Sequence, residues 1–188
     1  MTSLYFIAIL PPEELSEQID DIRKECAERF QVKAGLKPPV HITLYRPFHL
    51  EQELENHLIK SLSTVTYSHS PFEQQLENFD SFNAHTLYIR AIKNPKLAAL
   101  QKNITSVILR HKLDVREVKG NTLFTPHVTI AYRDIPPETF PLIWETFKDK
   151  KFKRSFMTER FALLKHDGKK WNVLKNYGLK YQPASTLF

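Results

Sequence analysis

The chain has 188 residues, 41% hydrophobic and 12% aromatic, enough for one well-filled core or two small lobes sharing one, and too apolar for a disordered chain. Its formal charge of +6 is uneven: residues 148–180 hold 11 Lys or Arg against 3 acids, which favours anionic partners such as phosphates or RNA, or guards exposed strand edges. The single Cys26 excludes an internal disulfide and fits a reducing compartment. No stretch nears the roughly 18 apolar residues of a membrane helix, so the chain reads as soluble, cytoplasmic and without a membrane partner.

In chain order, Leu4 to Leu10 reads as a buried first strand, too short to span a bilayer. Pro11-Pro12-Glu13-Glu14 then opens a helix with an apolar stripe of Leu15, Ile19, Ile22, Cys26 and Phe30. Cys26 sits on that stripe and reads as structural. Gly35 and Pro38-Pro39 end the helical region and lead into a strand around His41, followed by a second helical stripe from Leu50 to Leu62. Two strands, Phe72 to Phe82 and Leu87 to Ile92, turn around Asn83-Ala84, and Pro95 starts a third helix ending near His111. A strand around His127 follows, then an amphipathic segment with Phe140, Ile143, Trp144 and Phe147 behind Pro136-Pro137-Glu138. Phe152 to Lys165 and Trp171 to Lys175 read as two strands of a hairpin, turned by Asp167-Gly168. Alternating strands and helices over one core argue an α+β protein with two related lobes.

Two stretches carry the chemistry: Pro39-Val40-His41-Ile42-Thr43-Leu44 and Thr125-Pro126-His127-Val128-Thr129-Ile130. Spacing alone is weak, since this composition yields about 0.5 such His-x-Thr matches by chance. Their shared context is stronger: each has a proline one or two residues ahead, an aliphatic behind, and a Tyr-Arg pair further on, Tyr45-Arg46 and Tyr132-Arg133. In a strand, residues i and i+2 share a face, so each stretch presents an imidazole beside a hydroxyl. Two imidazoles with ordinary pKa values near 6.5 can act as one base and one acid at neutral pH, while Thr43 and Thr129 donate hydrogen bonds to a phosphate. Arg46 and Tyr132 are further candidates to touch a phosphate or a base. Strict alternation puts Tyr45 and Tyr132 on opposite faces relative to their histidines. The other histidines, His49, His57, His69, His85, His111 and His166, lack the clustering of a metal site. Only 4 Gly and no phosphate loop, dinucleotide fingerprint or nucleophile elbow are present.

The paired stretches resemble the two HxTx motifs of the two-histidine (2H) phosphoesterase superfamily, which includes 2′-5′ RNA ligase-like proteins and cyclic phosphodiesterases. That resemblance implies a bilobal, pseudo-symmetric fold of two antiparallel sheets flanked by helices, with a central cleft, over a single domain of residues 1–188 with one motif in each intertwined lobe. It implies His41 as proton donor, His127 as proton acceptor, Thr43 and Thr129 as phosphate ligands, and no metal or other cofactor. The expected activity is hydrolysis of a 2′,3′-cyclic phosphate or 2′-5′ phosphodiester in RNA or a small nucleotide, with no obligate protein partner. Alternatives are a non-catalytic RNA or nucleotide-phosphate binding protein and a reversible 2′-5′ RNA ligase.

Overall fold

The opening apolar run forms strand β1 (Thr2–Ile9) of a computed structural model that describes residues 1–116 and 123–180. Tyr5 to Ile9 are all buried, as a strand with a neighbour on each edge and cover on both faces requires. Helix α1 (Glu13–Phe30) follows, with Glu13 and Glu14 at the positive end of its dipole. Its buried face takes Leu15, Ile19, Cys26 and Ala27, and also Arg23. A 3₁₀ turn at Ala34–Leu36 precedes β2 (Ile42–Glu51), and α2 (Glu55–Ser63) and β3 (Phe72–Phe82) complete the first half of the chain. The second half repeats this layout with β4 (Thr86–Ala91), α3 (Pro95–Arg110), β5 (His127–Tyr132), α4 (Phe140–Phe147) and β6 (Lys153–Thr158). Strands β7 (Arg160–His166) and β8 (Trp171–Gly178) close the described chain.

All eight strands pair antiparallel in the order β6-β3-β4-β5-β2-β1-β7-β8, giving an α+β fold. The two expected sheets are its halves, four strands each, with the two motif strands β2 and β5 innermost. They meet through one residue pair, Ile42 with Val128. The sheet is strongly curled. Strand β6 is first in the order and β7 seventh, yet only Glu159 separates them in the chain. One residue spans about 3.5 Å, whereas six flat strand spacings of about 4.8 Å would have to be bridged.

The continuous strand expected over Phe152 to Lys165 is therefore two strands in different halves, broken at Glu159. Apolar periodicity alone does not mark that break, because Phe156 and Phe161 are both core residues. The expected terminal hairpin is present: Asp167 accepts hydrogen bonds from the amides of Lys169 and Lys170, both at 2.8 Å, and Gly168 takes φ +97°. In the β3–β4 turn Asn83 and Ala84 both have positive φ, 48° and 53°, the dihedrals of a tight hairpin. The main core lies between the helices and one face of the sheet; on the other face a small cluster forms around Phe6, Ala8, Ala162 and Leu164. No helix among the described residues is long and apolar enough to cross a membrane.

Candidate functional site

Along both motif strands burial alternates: Ile42, Leu44, Val128 and Ile130 are buried, while His41, Thr43, His127 and Thr129 are half-buried. The aliphatics anchor in the core, so the histidines and threonines look out from the opposite, cleft face. Ile42 opposite Val128 sets the antiparallel register, and one step either side of it places His41 beside Thr129 and Thr43 beside His127. The four polar residues thus form a square across the seam between the halves.

Each imidazole is held in the same way. His41 Nδ1 lies 2.7 Å from the carbonyl oxygen of Pro39, and His127 Nδ1 lies 2.8 Å from that of Thr125. A carbonyl only accepts, so Nδ1 carries the proton in both neutral rings and each Nε2 is the nitrogen left without one. Aromatic rings pack beside them: Phe6 on His41 with centroids 4.9 Å apart, and Tyr88 and Phe82 on His127 at 5.1 and 4.9 Å. Trp171 in turn packs edge-on to Phe6 at 4.5 Å. Burial pushes both imidazoles below their ordinary pKa, His41 down to about 4. The charges of Arg23 and His127 add to the effect at His41, so the two histidines sense one another.

Arg23 is a component that sequence pattern did not single out. Its guanidinium donates to the carbonyls of Gly35 and Pro38 and pairs with Asp20 at 2.7 Å. It thereby ties α1 to the turn that delivers the Pro39 carbonyl to His41. From the other half, Asp134 accepts the amides of Lys33 and Ala34 at 2.7 and 2.8 Å. The entry to the first motif strand is thus clamped by a residue just beyond the second.

Both motif strands bulge right after the threonine. Ala8 pairs with Thr43 but Ile7 with Tyr45, and Tyr88 pairs with Thr129 but Leu87 with Ala131. The extra residue puts Leu44 and Tyr45 together against the core, and likewise Ile130 with Ala131. Strict alternation would set Tyr45 on the histidine side and Tyr132 opposite; the bulges reverse both. Tyr45 is buried, donating to Asp114 at 3.2 Å, whereas Tyr132 pairs with Thr86 on the cleft face beneath the guanidinium of Arg133. Arg46, which shares Tyr132's place three residues after the threonine, forms an ion pair with buried Asp114 at 3.0 Å. Arg116 holds the same carboxylate. Among the described residues no three metal-ligating side chains cluster.

The profile of the 2′-5′ RNA ligase superfamily matches residues 11–170. The chain belongs to that superfamily. The 2′-5′ RNA ligase superfamily relatives it resembles include a protein of Geobacillus kaustophilus, provisionally named a phosphoesterase, 26% identical over 92% of this chain and 94% of that one. A Shouchella clausii protein with the same provisional name is 26% identical over 94% and 98%. Among solved structures, E. coli LigT complexed with 3′-AMP superposes with a TM-score of 0.72 at 19% identity, covering 96% of this chain and 99% of that one. TT0787 of Thermus thermophilus gives 0.68 at 20% identity, over 96% and 100%. At these identities the structural likeness establishes the fold.

Proposed function

We propose that this protein is a phosphoesterase that hydrolyses a 2′,3′-cyclic phosphate or 2′-5′ phosphodiester in RNA or a small nucleotide, by histidine acid-base catalysis without metal. The observation that carries the reading is the square of His41, Thr43, His127 and Thr129 across the Ile42–Val128 seam, with both Nδ1 protons committed to carbonyls. The phosphoesterase names of the relatives, and the 3′-AMP seated in LigT, support the substrate class.

In this reading the phosphate lies within the square and takes hydrogen bonds from Thr43 and Thr129. His127 Nε2 removes a proton from water as the water oxygen bonds to phosphorus, and His41 Nε2–H protonates the leaving ribose oxygen as its bond to phosphorus breaks. A turnover leaves His127 charged and His41 neutral, and exchange with solvent resets both. The phosphate's negative charge between the rings offsets the burial that keeps His41 neutral in the free protein.

The test is hydrolysis of 2′,3′-cyclic nucleotides and 2′-5′ linked dinucleotides in the presence of chelator. His41→Ala and His127→Ala are each expected to lower kcat by about 10²–10⁴-fold, and Thr43→Val or Thr129→Val by about 10-fold or more. Turnover abolished by chelator, or unchanged in both histidine variants, overturns the mechanism.

A further inference from the structure

The cleft does not end at the histidine-threonine square. Behind His127 a cavity of about 790 Å³ opens between the end of β4, the start of α3 and the segment leading into β5. That is within the ~300–1,000 Å³ of small-molecule sites. Two of its walls belong to the site already described: Tyr88, whose ring packs on His127, and Thr125, whose carbonyl fixes that histidine's Nδ1. A nucleotide chain leaving a phosphate at His127 on this side therefore runs toward it.

The lining is chemically divided. Ile92, Pro95, Ala98 and Phe124 supply apolar surface, and Arg90 and Lys93 supply positive charge against the one acid, Asp80. Arg90 pairs across the strands with His127 and is exposed on the same face, its Nε donating to the Glu77 carbonyl at 3.2 Å. Apolar and aromatic surface beside a guanidinium suits a nucleobase beside a phosphate.

We infer that this cavity is a subsite for a second nucleotide: it takes the base of the nucleotide next beyond the one that carries the reacting phosphate, with Arg90 on the phosphate that joins the two. The inference rests on the phosphodiester reading above and narrows its substrate to molecules of at least dinucleotide length. The opposite end of the cleft is built differently, with Trp171 and Phe6 packed edge-on beside His41, so the two directions out of the square are not equivalent.

The probes are adenosine 3′-phosphate and the dinucleotide ApA carrying a 3′-phosphate, both inert monoester ends, titrated calorimetrically into wild type, Ala98→Trp and Arg90→Gln. Ala98 is exposed on α3, so a tryptophan there fills the cavity without entering the core. Wild type is expected to bind the dinucleotide at least 10-fold more tightly than the mononucleotide. Ala98→Trp should erase that advantage and leave mononucleotide binding unchanged, and Arg90→Gln should reduce it and weaken its salt dependence. Equal affinities in wild type, or an equal loss for both ligands in Ala98→Trp, overturn the subsite. Hydrolysis rates on 2′,3′-cyclic substrates, measured alongside, separate the two claims. Turnover without a dinucleotide preference sinks the subsite alone, and a preference without turnover leaves the subsite and removes the hydrolase.

Discussion

At the scale of single residues, the same burial that orients the histidines also displaces their titration. Both folded pKa values lie below 6.5, lowered first by desolvation. The pH profile of kcat/KM reports the free enzyme's acid and base, so its bell should centre below pH 6.5; a maximum above pH 7.5 contradicts these burial effects. Folding stability is linked with the same sign: the unfolded histidine binds protons more readily, so stability is full above about pH 6.5 and declines toward pH 4. For His41 the loss approaches about 3 kcal/mol, and His41→Asn should reduce the pH dependence of urea unfolding across that range, leaving the share of His127. Arg23 adds a second lever, since its charge helps hold His41 neutral. Arg23→Gln is expected to raise the His41 pKa seen by NMR and to lower kcat, because the Gly35–Pro38 turn loses its clamp. A mere packing role for Arg23 would leave the His41 titration in place. The histidines and threonines were legible because a two-residue period is a local signal. Arg23 was not: on a helix its spacing resembles any surface arginine, and only the turn folded against it gives it work.

At the scale of elements, strand alternation placed the four candidate residues on one face and then failed one residue beyond them. A β-bulge leaves no mark in hydrophobic pattern, since Leu44-Tyr45 and Ile130-Ala131 read as ordinary apolar pairs, yet it decides which side Tyr45 and Tyr132 face. The break at Glu159 was hidden for a similar reason, because strands in different halves share one core. The second bulge has a neighbour that makes it testable. A Cβ on Gly35 would collide with the carbonyl oxygen of Ile130, the extra residue of the β5 bulge. Backbone does not yield as a side-chain end does, so Gly35→Ala should cost about 1–3 kcal/mol in urea unfolding and, by shifting Thr129, reduce turnover. Gly178→Ala, with nothing within 4 Å of the new Cβ, is the matched control and should change neither. Equal behaviour of the two variants means the close approach at Gly35 is not part of the site's architecture.

At the scale of the whole molecule, the topology separates the basic last quarter into unequal parts. Strands β6 and β8 form the two edges of the sheet. Near β6 part of the charge is spent within the protein: Lys148 pairs with Glu145 and Lys150 with Glu25, both at 2.7 Å, while Lys151, Lys153 and Arg154 have no acidic side chain in an ion pair among the described residues. In the β7–β8 hairpin, Lys169, Lys170 and Lys175 are exposed and have no acidic side chain in an ion pair among the described residues, and the hairpin carries Trp171 toward Phe6 and His41. Edge protection would be served equally by either group of lysines, but it is the hairpin group that stands beside the cleft. An RNA chain whose phosphate sits in the square would run past it, and each single-strand phosphate contact adds about 0.7 to the logarithmic salt slope. Lys169→Glu with Lys170→Glu should therefore lower kcat/KM for an oligonucleotide by about 10-fold at low salt and flatten its salt dependence, while a cyclic mononucleotide is turned over as before. If the mononucleotide suffers equally, the hairpin lysines act on the site itself; if neither substrate notices, their charge serves the sheet edge alone.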